Sequence, residues 1–348
     1  MSASPTIAGP AGSCITTTPG PYDYVPTDDC RALFPYNPSF AAAIAFAILF
    51  GLSTTLHIIQ SRIHRKRFCW VIIMAGVWET AGFAIRAVGT RSQLQLGYFM
   101  PEELLILLAP LWVNAFIYMV FGRMVNYYLS EKKVYCFEAR RLAAVFVCLD
   151  IVSFIVQGTG GSIASGSSGE TDSIVMVGIH IYMGGVGLQQ LFILLFLILV
   201  VKFQRQALEI ERLNGLWEKS NWRPLLYVTY GSLSFITIRI IFRLVQYSSG
   251  VLSYIPTHEA FFYVFEALPM TLALWMLNAI HPGRYLVGVD SEFPPKEKGK
   301  ESWWRWCCCC CSCYCKRTKG RGDFQTEITT QGDTYNLMSV HRYNSMEA

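Results

Sequence analysis

The sequence predicts an all-α protein, a bundle of seven membrane-spanning helices. Of its 348 residues, 53% are hydrophobic and only 15% are charged, whereas an ordinary soluble domain has about 25% charged residues. Seven apolar stretches are each long enough to cross a hydrocarbon core, which takes about 20 residues of helix. Basic residues are concentrated in alternate connections between these stretches, as in proteins that cross a bilayer several times.

The seven spans are predicted, in order, at residues 40–59, 69–88, 104–121, 142–158, 174–201, 225–247 and 260–280. Each must be helical, because the bilayer interior offers no water to unpaired backbone groups. The third span contains Pro110 and the seventh contains Pro269. A proline leaves the carbonyl one turn earlier without its partner and bends the helix. We interpret both as packing kinks, and Pro269 stands out because Glu266 lies one turn before it.

The basic connections set the predicted orientation. Lys and Arg residues cluster after the first, third and fifth spans, whereas the connections after the second, fourth and sixth hold only Arg91. The positive-inside rule therefore predicts an N-terminus outside and a C-terminus in the cytoplasm. The predicted organisation is an extracellular tail rich in Ser, Thr, Pro and Gly (1–38), a membrane domain (39–284) and a cytoplasmic tail (285–348).

Ionisable residues inside the predicted spans are the first candidates for function. Arg239 and Arg243 are four residues apart and share one face of the sixth helix. By depth, Glu266 of the seventh helix can meet Arg239, and Glu259 can meet Arg243. Two interpretations stay open: these charges are buried ionic contacts that specify helix packing, or they line a cavity that receives the polar end of a substrate.

Other residues of this type lie in the second and fourth spans. Glu79 and Arg86 are seven residues apart and therefore lie on one stripe of the second helix. Asp150 of the fourth helix lies at about the depth of Glu79.

Several classes of function are excluded or disfavoured. No phosphate-binding G-x-x-x-x-G-K-[ST] motif is present, so the chain is not an ATP-driven pump. The histidines lack the spacing of a metal site, and we predict no metal and no cofactor. The formal charge of +5 is explained by the basic loops, because no basic patch with interleaved aromatic residues indicates a nucleic-acid partner.

Five segments, in register with the predicted spans, resemble a known family. They read "WETAGFAIR" (78–86), "LDIVSFIVQGTGG" (149–161), "IRIIFRLVQYSSG" (238–250), "HEAFFYVFEALPM" (258–270) and "HPGR" (281–284). Together they resemble the fungal lipid-translocating exporter family, the aminocholesterol-resistance-like proteins, over about residues 36–285.

The resemblance implies a multi-pass protein of the plasma membrane that is not an enzyme and that moves amphiphilic lipids, such as sphingoid long-chain bases or phospholipids. It also implies tolerance of toxic amphiphiles, with membrane lipids as partners; protein partners are not indicated. The positions that match the family's polar pattern are Glu79, Arg86, Asp150, Gln157, Arg239, Arg243, His258, Glu259, Glu266 and His281. One departure is Gln246, where the family often has an acid.

Two alternatives to a transporter are a seven-helix receptor or sensor and a membrane-embedded lipid hydrolase. The third helix ends in "FGRMVNYY" and the seventh in "LNAIHPGR", which lack the marks of rhodopsin-like receptors. A hydrolase of the ceramidase type would need clustered His and Asp ligands for zinc, so we rank it last.

Both tails contain cysteines of interest. Cys14 and Cys30 lie in the predicted outer tail, where a disulfide is expected. The predicted cytoplasmic tail contains "WWRWCCCCCSCYCKRTKGR", in which cysteines stand beside tryptophans and basic residues, and we predict S-acylation there rather than zinc binding. The candidates are Cys307, Cys308, Cys309, Cys310, Cys311, Cys313 and Cys315.

Overall fold

A computed structural model provides the structure of the chain. It describes residues 16–26, 29, 31–34, 36–129, 131–135, 137–166, 172–214, 222–248, 254–287 and 293. The predicted disulfide pair Cys14 and Cys30 and the S-acylation candidates at 307–315 lie outside these residues. The described residues all belong to one compact unit, Met1–Phe293.

Within the described residues, seven helical segments are long and apolar enough to cross a membrane, which confirms the predicted fold class. The first six are α1 (Phe40–His64), α2 (Trp70–Gly89), α3 (Leu96–Tyr128), α4 (Ala139–Gly166), α5 (Asp172–Asn214) and α6 (Arg223–Ser248), and the seventh span is Glu259–Tyr285. In α3 and α5 the helix is longer than predicted, at 33 and 43 residues. Hydropathy identifies only the apolar part of a helix. The backbone hydrogen bonding of the helix continues beyond that part until a helix-breaking residue ends it.

The seventh span is interrupted. It consists of α7 (Glu259–Phe262), a π-helical turn (Tyr263–Ala267), α8 (Leu268–Ala279) and the short α9 (Pro282–Tyr285). Pro269 has no N–H to donate to the carbonyl of Phe265, and the regular α-helical hydrogen bonding is therefore interrupted at this turn. The widened turn contains Glu266, and such π-helical turns are frequent at functional sites.

The remaining elements are short. Two 3₁₀ helices span Pro21–Asp23 and Arg67–Cys69. An antiparallel hairpin after α3 pairs β1 (Lys133–Val134) with β2 (Phe137–Glu138), and Lys133 faces Glu138. The sequence analysis did not predict it, because two residues per strand are too few to show an alternating pattern.

The spans pack against one another in chain order, and the ring closes where α8 contacts both α6 and α1. The closest approach is between α4 and α5, where glycines let two backbones meet. A Cβ atom on Gly160 would lie 2.3 Å from the backbone nitrogen of Tyr182, and one on Gly178 would lie 2.5 Å from that of Ala164. Small residues at such crossings are typical of membrane helices.

We predict that Gly160→Ala destabilises the bundle, because the added methyl group collides with the backbone of α5. Gly161→Ala on the same helix is the matched control, since a Cβ there meets no atom of the described residues within 4 Å. Thermal unfolding of the purified variants in detergent measures the difference. Gly160→Ala should lower the unfolding free energy by about 1–3 kcal/mol, whereas Gly161→Ala should be neutral or slightly stabilising. Equal effects of the two substitutions would contradict the close α4–α5 contact.

Candidate functional site

Two arginines of α6 share one carboxylate of the seventh span. The Nη2 atom of Arg239 donates to Oε1 of Glu266 at 2.8 Å, and the Nη2 atom of Arg243 donates to the same oxygen. All three residues are buried, with at most 6% of their surface exposed. One helical turn separates the arginines, so both reach the same acceptor. We call these three residues the Glu266 cluster.

Pro110 contributes to this cluster through the backbone. In a regular helix the N–H of residue 110 would bond to the carbonyl of Ile106, and proline has no N–H to give. That carbonyl accepts a hydrogen bond from Nη2 of Arg239 at 3.1 Å instead. Pro110 is therefore more than the packing kink predicted for it, because it supplies an acceptor to a buried guanidinium group.

A second group of charges surrounds Arg86 on α2. Its Nη1 atom donates to Oε1 of Glu102 at 2.9 Å and lies 3.9 Å from Glu103, and its Nη2 atom lies 3.6 Å from Oε1 of Glu259. Nη2 also donates to the hydroxyl of Tyr36 at 2.7 Å. These five residues form the Arg86 cluster, in which three carboxylates surround one guanidinium.

The Arg86 cluster corrects one predicted pairing. Glu259 lies near Arg86 and not Arg243, because Glu266 already occupies the Arg243 guanidinium. Glu259 begins α7, and both of its oxygens also accept from the backbone N–H of Ser39, at 3.0 and 2.8 Å. The predicted pairing of Arg243 with Glu259 matched their depths in the membrane and took no account of the direction in which each helix face points.

The segment before α1 covers the Arg86 cluster. Burial raises the pKa of Tyr36 to about 12, so its phenol stays neutral and accepts from Arg86. The next residue of this segment is also held by a hydrogen bond, since Nε2 of Gln93 donates to Oδ1 of Asn37 at 3.2 Å. Further along the segment, hydrogen bonds from the side chain of Arg31 and the backbone of Thr17 hold the pKa of Asp29 well below its usual range.

The three remaining predicted residues form no ion pair with either cluster among the described residues. Asp150 accepts hydrogen bonds through Oδ2 from Nδ2 of Asn114 and from the hydroxyl of Tyr118, both at 3.0 Å. Gln157 donates to Oε1 of Gln189 at 3.1 Å. Glu79 is buried, with 1% of its surface exposed, and its Oε1 atom has no hydrogen-bond partner among the described residues.

A narrow cleft between α3, α4, α5 and α6 borders the Glu266 cluster. Its free volume is about 10 Å³, roughly the space of one water molecule. The lining combines apolar side chains with polar groups from three helices. It includes Leu107, Phe154, Gln157, Tyr182, Arg239 and Arg243.

The predicted site residues thus belong to three places, and Glu79 belongs to the first of them because its carboxyl interacts electrostatically with Arg239, Arg243 and Glu266. The structure brings Arg239, Arg243 and Glu266 together, and Gln157 lines the same cleft. Arg86 and Glu259 lie together in the second cluster. Asp150 is in the third place, where it is hydrogen-bonded to neutral polar side chains. The sequence analysis missed Glu102, Glu103, Tyr36, Asn114 and Tyr118. An acidic pair at 102–103, at the depth of Arg86 and directly before the predicted third span, was a usable signal.

Among the described residues, no group of three or more His, Cys, Asp or Glu side chains is arranged to hold a metal ion. His281, one of the residues that match the family's polar pattern, makes contacts with neighbouring protein groups. Its Nδ1 atom accepts from the backbone N–H of Gly283 at 3.1 Å, and its Nε2 atom lies 3.5 Å from Sγ of Cys69. The other ring neighbour, His64, stacks on it at 5.1 Å between centroids.

Comparison with known proteins identifies related sequences. Residues 72–288 match the family model described as "RTA1 like protein". The chain is 42% identical over 304 residues to Probable lipid transporter atnI of Emericella nidulans, covering 84% of this chain and 79% of that protein. It is 27% identical over 287 residues to Protoporphyrin uptake protein 1 of Saccharomyces cerevisiae, covering 71% and 91%.

A third relative is Sphingoid long-chain base transporter RSB1 of Saccharomyces cerevisiae, 23% identical over 299 residues, covering 74% of this chain and 75% of that protein. No solved structure matches the chain significantly.

We predict that Glu266→Gln destabilises the protein far more than Glu259→Gln. Loss of the Glu266 charge removes the carboxylate that two buried guanidinium groups share, and breaking a buried pair costs about 3–5 kcal/mol. Glu259 is more exposed, and its loss should cost about 1 kcal/mol or less. Thermal unfolding in one detergent compares the two variants. A Glu266→Gln protein as stable as the Glu259→Gln protein would show that the shared carboxylate does not hold α6 and the seventh span together.

Proposed function

Because this chain belongs to the RTA1-like protein family, we propose that it is a membrane lipid transporter that moves amphiphilic lipids across the plasma membrane. One relative carries the name of a probable lipid transporter and another that of a sphingoid long-chain base transporter. These names favour a transporter over a receptor or sensor. We therefore propose sphingoid long-chain bases or phospholipids as substrates and no catalysed reaction.

The observation that carries a role for the site is the polar lining of the cleft between α3 and α6. A lipid head group that crosses the hydrocarbon core loses its hydration, which costs several kcal/mol without polar replacements. Arg239, Arg243 and Gln157 supply such replacements at the edge of a cleft whose other walls are apolar. The apolar walls suit the lipid chain, and the polar groups suit its head.

Unpartnered atoms in the Glu266 cluster support the same proposal. The Nε atoms of Arg239 and Arg243 and the Oε2 atom of Glu266 are buried and have no hydrogen-bond partner among the described residues. Buried polar groups whose only role is packing are normally satisfied. The free donors suit a phosphate or hydroxyl oxygen, and the free acceptor suits an amine.

The cleft must widen to admit a head group. A free volume of about 10 Å³ leaves no room for an ammonium or phosphate group with its carbon neighbours. We infer that the described arrangement is an occluded state and that α4 and α5 move as a pair, because their glycine contacts hold them together. The cleft then opens against α3 and α6.

We predict that Arg239→Ala slows lipid movement by roughly tenfold or more, equivalent to about 1.4 kcal/mol of barrier. Fluorescent sphingoid base and fluorescent phospholipid would be followed across liposomes that contain the purified protein. Arg223→Ala is the matched control, because the side chain of Arg223 is exposed, pairs with Glu211 and does not line the cleft.

Size-exclusion profiles must match for the variants, so that lost movement is not lost folding. Wild-type protein that moves neither lipid faster than empty liposomes would overturn the proposed function for these lipids. An Arg239→Ala protein as active as Arg223→Ala would remove the Glu266 cluster from the lipid path.

A further inference from the structure

Asp150 is a carboxyl group with no charged neighbour along the helices that enclose it. In α4 it is the one charged residue of positions 142–166, and positions 104–122 of α3 and 181–201 of α5 contain none. Among the described residues no basic side chain pairs with it. Asp150 nevertheless has only 1% of its surface exposed. An ionised carboxylate in this place would cost several kcal/mol, because nothing compensates its lost hydration.

The hydrogen bonds around Asp150 leave two oxygens without partners. Asn114 and Tyr118 both donate to Oδ2 of Asp150. Among the described residues, the other oxygen, Oδ1, has no hydrogen-bond partner, and neither has Oδ1 of Asn114. Asn114 and Asp150 are thus held together by one hydrogen bond, with one unused acceptor on each side chain. A single proton on Oδ1 of Asp150 turns that oxygen into a donor and also cancels the uncompensated charge.

We propose that Asp150 is a proton-binding site, held by Asn114 and Tyr118, and that its protonation is coupled to lipid transport. The proton comes from water, forms an O–H bond at Oδ1 and returns to water when the site is exposed on the opposite side. The coupling rests on the proposed function, whereas the proton site itself rests on the contacts of these three residues.

In the described arrangement, the surroundings let this proton arrive from one side. Gln157 lies seven residues, or two turns, from Asp150 on the same face of α4, about 10 Å away, and it lines the cleft beside the Glu266 cluster. On the other side, Tyr118 packs against Phe196 at 4.5 Å and Phe146 at 5.4 Å between ring centroids. These rings exclude water, so the proton reaches Asp150 from the cleft.

Few titratable groups face Asp150 from the elements packed against it. Tyr118 is the one from α3, and α5 offers no charged residue between His180 and Lys202. Cys148 of α4 is exposed, and Glu138 of β2 lies twelve residues away and pairs with Arg141. The protonation of Asp150 therefore responds to water access and not to a neighbouring charge.

Infrared difference spectroscopy tests the proton site directly. The full-length protein in lipid would be compared between mildly acidic and mildly alkaline buffer. We expect a carboxylic acid C=O band that Asp150→Asn removes. The control Glu211→Gln, which replaces a partly exposed carboxylate, should leave this band in place. Asn114→Leu should keep the band but shift it to higher frequency, because one hydrogen bond to the carboxyl is lost. The same spectrum for wild type and Asp150→Asn would overturn the site.

Transport under an imposed pH gradient tests the coupling. The rate of lipid movement by wild-type protein should change with the direction of the gradient, and Asp150→Asn should move lipid at a rate that ignores it. A wild-type rate that ignores the gradient overturns the coupling. If wild-type protein moves no lipid at all, the proposed function fails, and the infrared comparison still decides whether Asp150 binds a proton.

Discussion

Two guanidinium groups bound to one buried carboxylate constrain the rest of the membrane domain. Arg239 and Arg243 remain charged in any protein environment, so helix packing must keep Glu266 beside them. The π-helical turn before Pro269 contains that carboxylate, and the freed carbonyl of Ile106 accepts from Arg239. The positions of α3, α6 and the seventh span all depend on this contact, which makes two prolines part of an electrostatic arrangement.

The charges are unequally distributed around this contact. The Arg86 cluster has three carboxylates around one guanidinium and is covered by the segment that precedes α1. The Glu266 cluster has two guanidinium groups on one carboxylate and borders a cleft. Among the residues that the structure describes, Asp150 has neutral hydrogen-bond partners only. On the lipid path that we propose, a head group meets an acid-rich cluster and an arginine-rich cluster, which suit amphiphiles that carry an amine, a phosphate or both.

The fold could be predicted from the sequence because the evidence for each membrane-spanning helix is local. Each span is marked by its own apolar run, and seven such runs were found in the described structure. The Arg239–Glu266 contact was also predictable, since depth along two helices places both residues together. The Arg243–Glu259 pairing was wrong because depth says nothing of the angle around a helix axis. Tyr36 and Asn114, the partners of Arg86 and Asp150, could not be predicted from one sequence. Nothing in the sequence distinguishes them from other polar residues, because their contacts form only when the chain folds.

The most direct test of this account is photo-crosslinking with a sphingoid base that carries a diazirine beside its head group. The labelled peptides would be identified by mass spectrometry from protein in native-like lipid. We expect labels on the cleft residues Leu107, Phe154 and Tyr182 that excess unlabelled lipid displaces. Labels confined to lipid-facing positions such as Ile48 and Leu52 of α1, undiminished by competing lipid, would contradict a head-group path beside the Glu266 cluster.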